Sequence, residues 1–223
     1  MSGQALPAEG EERALASAPR PIVVKLGGSV VHSLELPAWL DAIASSPRPI
    51  VVVPGGGALA DEVRICQRQL GLGDGSAHRM ALLAMDQLAW AIAGLRLGFE
   101  VGDTEDALRR SLELGHVALW APFTLVANRR DIPQSWTVTS DSLALWLARR
   151  LGAERVFVIK SIQRQRAEFS AEQLARDGVV DAAFPAMLRG AGLPAFLLGR
   201  GDQAAFAASL GVAGCGTCGA TID

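Results

Sequence analysis

The sequence predicts an α/β fold in three layers, a mainly parallel sheet with helices on both faces. Three observations carry this expectation. Short β-branched runs end in glycine-rich turns, helical stretches of ten residues or more separate them, and 223 residues permit one well-buried domain. Residues 1–20 (MSGQALPAEGEERALASAPR) are small and polar, with no period that could bury a face, so they are expected to be a disordered lead. A single domain is expected over 21–223.

Residues 22–26 and 50–53 are buried parallel strands in this reading, each opening into glycines. Residues 58–70 place Leu59, Val63, Cys66 and Leu70 three or four apart, the spacing of an amphipathic helix with Arg and Gln between. Residues 77–97 are apolar nearly all round, which predicts a long, deeply packed helix. Within it Met80, Leu82, Leu83, Met85 and Trp90 form a stripe expected to be core or subunit interface. Strands follow at 117–120, 155–160 and 195–198. A helix over 140–151 begins at a cap-like Ser140 and stops at Gly152.

The charge balance, 21 basic against 23 acidic side chains, supplies no broad positive field, so a nucleic-acid partner is not expected. No stretch approaches the roughly 20 apolar residues of a membrane span. Three cysteines make no paired framework and 1–20 holds no signal-like apolar run, so a reducing cytoplasm is expected. Cys215 and Cys218 invite a metal or redox reading, but zinc needs four ligands and only Cys66 remains among the cysteines, so small residues in a late loop before a strand are the expected explanation.

Lys25 leaves the first strand just before Gly27, Gly28 and Ser29. Glycine N–H groups can approach an anion closely and the lysine adds a full charge, the elements of a phosphate cradle. Gly55, Gly56 and Gly57 end the second strand at a helix start, where partial positive charge favours a second phosphate. Neither loop is a Walker or a dinucleotide fingerprint. Asp141, beside Ser140, is either a helix cap or a carboxylate holding Lys25 and Lys160 around a transferring phosphoryl group. Asp86, in an apolar helix, needs a partner: another helix or an acceptor's amine. His78 is either a capping histidine or a contact to an acceptor phosphate.

In order, V-V-K-L-G-G-S, V-V-P-G-G-G and T-S-D-S-L-A-x-x-L-A, then a strand with a lysine, resemble the amino acid kinase superfamily over about residues 22–223. The resemblance implies that fold and a kinase using ATP with Mg2+ on a small anionic acceptor. In it Lys25 touches the transferring phosphate, the glycine loops line nucleotide and acceptor, Asp141 organises the lysines, and Lys160 is the second cation. Many members read T-D-V-D-G after the fifth strand; this chain reads V-I-K-S-I at 158–162.

A-H-R-M-A-L-L-A-M-D-Q at 77–87 and Trp136 are similar to a small archaeal and methylotroph branch of methanopterin biosynthesis. That likeness implies phosphorylation of an aminomethylfuran methyl phosphate to its diphosphate, with His78, Asp86, Gln87 and Trp136 on the acceptor side. An acceptor already anionic needs no strong base, which fits the lack of an obvious one. Another phosphate or carboxylate kinase, such as one for isopentenyl phosphate, and a non-catalytic nucleotide-binding storage or regulatory protein are the alternatives. A homo-oligomer is expected from the apolar helix.

Overall fold

The structure, a computed structural model, describes residues 19–163, 167–210 and 219–223. Its strands are β1 (Ile22–Leu26), β2 (Ile50–Pro54), β3 (Phe99–Gly102), β4 (Val117–Trp120), β5 (Arg155–Ile159), β6 (Glu168–Phe169), β7 (Ala195–Leu198) and β8 (Ala220–Ile222). They form one sheet in the order β3-β4-β2-β1-β5-β7-β8-β6, parallel throughout except where β8 runs against β7. The helices are α1 (Gly28–Val31), α2 (Leu36–Ala44), α3 (Gly57–Leu70), α4 (Asp74–Leu95) and α5 (Glu105–Glu113). They continue with α6 (Phe123–Val126), α7 (Ser140–Leu151), α8 (Ala171–Arg176), α9 (Phe184–Ala191) and α10 (Gln203–Leu210). The α/β class expected from the sequence is the one observed.

Successive strand residues point to opposite faces, and the two apolar clusters follow that alternation. Val23 of β1 and Val156 and Val158 of β5 pack with α7 and α9 on one face. Ile22, Val24 and Leu26 of β1 and Phe157 and Ile159 of β5 pack with α2 and α10 on the other, around Trp39 and Phe206. Lys25 follows the parity of Val23, and Lys160 that of Val158. Both lysines therefore leave neighbouring strands on the α7 side. The register places Lys25 beside Val53 of β2 and Val158 of β5, at the middle of the sheet.

Several expectations need correction. β3, β6 and β8 were not anticipated, because they are two to four residues long and β3 and β8 carry polar residues at exposed positions. The long helix starts a turn early, at Asp74, and is packed on one side only: Leu83, Trp90 and Leu95 are exposed. Of the expected stripe on α3 only Val63 is buried, while Leu59 and Leu70 face outward. Cys215, Cys218 and residues 1–18 of the expected disordered lead lie outside the described residues.

A cavity of about 550 Å³ lies where the strands begin, lined among others by Arg20, Arg48, Arg109 and His116. Its basic side chains are taken up by the ends of helices and by acids. Arg20 donates to the Gly152 and Ala153 carbonyls, at 2.9 and 2.5 Å, beyond the end of α7. Arg109 donates to the Arg150 carbonyl at 3.4 Å. Arg48 pairs with Glu154, and His116 with Glu100.

Candidate active site

At the opposite edge, where the strands end, a cavity of about 310 Å³ is lined by Lys25, Lys160, Asp141, both glycine loops and one face of α3. Open α/β sheets bind ligands at this edge. Asp141 sits in the first turn of α7, between the two lysines. Lys25 Nζ is in ionic contact with its Oδ1 at 2.8 Å, and Lys160 Nζ donates to its Oδ2 at 2.8 Å. Both carboxylate oxygens of Asp141 are therefore engaged by lysines.

Lys25 is 3% exposed, and burial lowers its amine to about 8 against the support of Asp141; the nearby Lys160 lowers it further. Burial works to raise the Asp141 carboxyl, but the two lysines outweigh it and hold the group below the ordinary carboxylate range. The trio has two cations for one anion. The surplus positive charge is what an incoming phosphate would meet.

The glycine loops are packed against each other. A Cβ on Gly28 would lie 2.4 Å from the backbone nitrogen of Gly57, which a neighbouring main chain cannot yield. Gly57 itself has φ +51, with His32 beside it. The glycines thus bring two turns into backbone contact at the cavity wall; Gly56, the N-cap of α3, offers no side chain, and the Ala58 N–H in the first turn donates to His32 Nε2 at 3.4 Å. Gly27 does not line the cavity: its N–H donates to the Ile159 carbonyl at 2.9 Å, tying β1 to β5.

The far end of the cavity is polar and more open. The Arg64 guanidinium stacks over Trp136, 3.8 Å from the ring centroid, while the Trp136 indole N–H donates to Gln67 at 2.6 Å. Gln67 donates in turn to Asp74 at 2.8 Å. Asp61 also lines this end, and no ion pair to it is made among the described residues. His78, 6% exposed, lines the cavity with its Nε2 buried and unpartnered among the described residues. Burial, then Arg79, holds its imidazole below the usual value, so it is neutral at pH 7.

Of the residues singled out in the sequence, Lys25, Gly28, Ser29, Gly55, Gly56, Gly57, His78, Trp136, Ser140, Asp141 and Lys160 meet at this cavity. Asp86 and Gln87 do not. The Asp86 carboxylate accepts from the Phe123 N–H at 3.2 Å, at the start of α6, and Gln87 is exposed on α4. Asp86 has the helix partner, and its carboxyl is raised to about 6, chiefly by burial and further by Asp103 against the Phe123 hydrogen bond.

Arg64 and Asp61 on α3 and Asp74 at the start of α4 are not singled out by the sequence, because a polar residue on an amphipathic helix carries no local sign that it faces a cavity. A stronger signal lies in the counts. The chain has two lysines, Lys25 and Lys160, and its other 19 basic side chains are arginine. A composition that uses arginine everywhere else marks the two positions where a compact ammonium is required.

A doubly covered sheet with paired lysines and glycine turns at its C-terminal edge carries the charge and backbone donors that a phosphorylated ligand would need. Residues 20–164 match the profile of the amino acid kinase family, and the chain belongs to that family. It is 27% identical over 143 residues to the [5-(aminomethyl)furan-3-yl]methyl phosphate kinase of Methanocaldococcus jannaschii; the match takes in 63% of this chain and 65% of that relative. Among solved structures, the uridylate kinase of Archaeoglobus fulgidus has a TM-score of 0.68 at 16% identity, covering 91% of this chain and 99% of its own. The UMP kinase of Bacillus anthracis gives 0.62 at 16% identity, covering 92% and 96%. The aspartate kinase of Synechocystis gives 0.60 at 16%, covering 80% of this chain and 37% of its own. At these identities the structures speak to the fold alone.

Proposed function

We propose that this chain is an ATP-dependent kinase that phosphorylates a small acceptor already carrying a phosphate, an aminomethylfuran methyl phosphate, to its diphosphate. One observation carries the reading: Asp141 holds Lys25 and Lys160 at the middle of a cavity with glycine turns on one side and Arg64, His78 and Trp136 beyond. Phosphoryl transfer asks the protein for placement and charge compensation, little else. Lys25 and Lys160 would neutralise charge growing on the transferred group. The first turn of α3 would offer N–H donors to phosphate oxygens. An acceptor phosphate is deprotonated at neutral pH, so Asp141 can stay bound to the lysines and need not act as a base.

The residues fit magnesium delivered with the nucleotide. No cluster of three acidic, His or Cys ligands exists among the described residues, and Mg2+ is commonly held through substrate phosphates and water. Both Asp141 oxygens face lysines, so its role is to orient them.

The M. jannaschii relative's name supports the furan acceptor, and the open end of the cavity suits its parts. Arg64 and His78 could take the acceptor phosphate. Asp61 and Asp74 could take an ammonium, the role first expected of Asp86. The exposed Leu83, Trp90 and Leu95 of α4 support a homo-oligomer.

The test is direct. Purified protein with MgATP and, separately, the aminomethylfuran phosphate, isopentenyl phosphate and UMP is followed by phosphorus NMR. The reading expects a new diphosphate resonance with the furan alone; turnover only with another acceptor transfers the assignment, and none with any acceptor removes it.

A further inference from the structure

α7 lacks a cap of its own. Its N-cap residue Thr139 makes no side-chain hydrogen bond to the helix, although this is the turn that carries Asp141. The missing acceptor comes from the segment between α8 and α9, some forty residues downstream. Asp181 Oδ2 accepts from the Thr139 N–H at 2.8 Å, the Thr139 hydroxyl at 2.9 Å and the Ser142 N–H at 3.0 Å. Its Oδ1 accepts from the Ser142 hydroxyl. The Ala183 N–H donates to the Thr137 carbonyl at 2.9 Å, a second tie between the same segments.

We propose that Asp181 is a positioning residue for phosphoryl transfer: by gripping Thr139 and Ser142 on either side of Asp141, it fixes the carboxylate that holds Lys25 and Lys160. It does not line the cavity and touches neither lysine. This rests on the proposed kinase reading.

The arrangement is costly for a simple cap. A Ser, Asp or Asn at position 139 could satisfy the helix end locally. Asp181 is instead a partly buried carboxylate next to a second one. Burial first and then Asp141 push its carboxyl above the ordinary value, against the four donors. What a remote cap adds is a fixed direction. The first turn of α7 is tied to the segment before α9 as well as to its own helix, so Asp141 cannot swing with helix fraying. Displacement of a reacting group by about 1 Å can cost about 100-fold in rate.

The test uses the full chain as Asp181→Ala, as Asp181→Asn, and as Asp181→Ala with Thr139→Asn, which returns a local neutral cap. Turnover is measured alongside the pH titration of lysine side-chain NMR signals in chain labelled with 13C-lysine, where only Lys25 and Lys160 report. Asp181→Ala should lower kcat about 10- to 100-fold with KM for ATP within about threefold. Lys25 should lose its proton at lower pH, because a loosely held Asp141 supports its charge less. Thr139→Asn should restore the melting temperature and neither of the other two.

Recovery of all three by the double variant makes Asp181 a cap and ends the proposal. So does a folded Asp181→Ala with kcat within twofold of the parent and the parent's lysine titration. Should Asp181→Ala not fold, Asp181→Asn, which keeps the shape and one acceptor oxygen, is judged by the same criteria. A parent that turns over nothing defeats the kinase reading, and with it any role in phosphoryl transfer; the lysine titration, which needs no acceptor, then still decides whether Asp181 fixes Asp141 against the lysines.

Discussion

Two cavities, one at each edge of the same sheet, are lined by basic side chains, and only one of them is built for an anion. Where the strands end, Lys25 and Lys160 share a single acid and face the start of α3, so side chain and backbone add with the same sign. Where the strands begin, Arg20 and Arg109 point at carbonyls at the end of α7, and Arg48 and His116 have acids of their own. There the backbone is the anion. Counting cations around a hollow does not identify a phosphate site; the polarity of the helices that end there decides what the cations are for.

The largest effect tests the first edge. Lys25→Ala should cut kcat by about two to four orders of magnitude, the loss seen when an electrostatic group at a developing charge is removed. Lys25→Arg should do nearly the same although the charge is kept, since a planar guanidinium does not fit a site 3% exposed whose acid is shared with Lys160. Activity of Lys25→Arg within tenfold of the parent would mean that charge alone suffices. In the parent, kcat/KM should fall as pH rises past about 8, where Lys25 loses its proton. A flat profile to pH 9.5 would contradict this. Next comes Gly28→Ala, which sets a methyl against the Gly57 backbone and should cost about 1–3 kcal/mol in chemical denaturation, with loss of turnover. An unchanged denaturation midpoint would mean that the two turns are not in contact.

Much of this first edge was legible in the sequence, and the legible part has a common character. Lys25, the glycine turns and Asp141 belong to local patterns: a strand that stops at glycine, a helix that starts at a hydroxyl. Even the convergence of the lysines follows from parity, Lys25 with Val23 and Lys160 with Val158, once the strands are parallel neighbours. Asp181 was out of reach, because its work is to cap a helix some forty residues away and nothing near it in the chain says so. Arg64 was hidden differently. Its place on α3 fits a solvated face, and only the packing of α3 on α4 turns that face toward the cavity. For Asp86 the sequence says that an acid in an apolar helix asks for a partner, another helix or an acceptor's amine, and packing supplies the first through the Phe123 N–H.

Asp86 also contrasts with Asp141. Asp141 meets two lysines, whereas Asp86 meets one N–H and the charge of Asp103. With its folded carboxyl raised to about 6, Asp86 withdraws stability as pH rises from its unfolded value toward 6, and the loss is complete above that. Asp86→Asn, able to accept the same bond, should therefore raise stability at pH 7.5 by roughly 1 kcal/mol after allowance for screening, about 2–4 °C in Tm. The gain should vanish near pH 4. Equal melting temperatures at pH 7.5 would show that the ionised group is not penalised there.

The smallest expected change returns to the other edge. Arg20→Ala removes the donor to the Gly152 and Ala153 carbonyls, and a charge at an exposed helix C-terminus is worth roughly 0.3–1 kcal/mol. Stability should drop by that amount, and less in high salt, because the interaction is one of charge with dipole. Turnover per folded molecule should not move. If Arg20→Ala instead weakened ATP or acceptor kinetics at unchanged stability, the second cavity would be communicating with the first, and the assignment of its arginines to helix ends would be wrong.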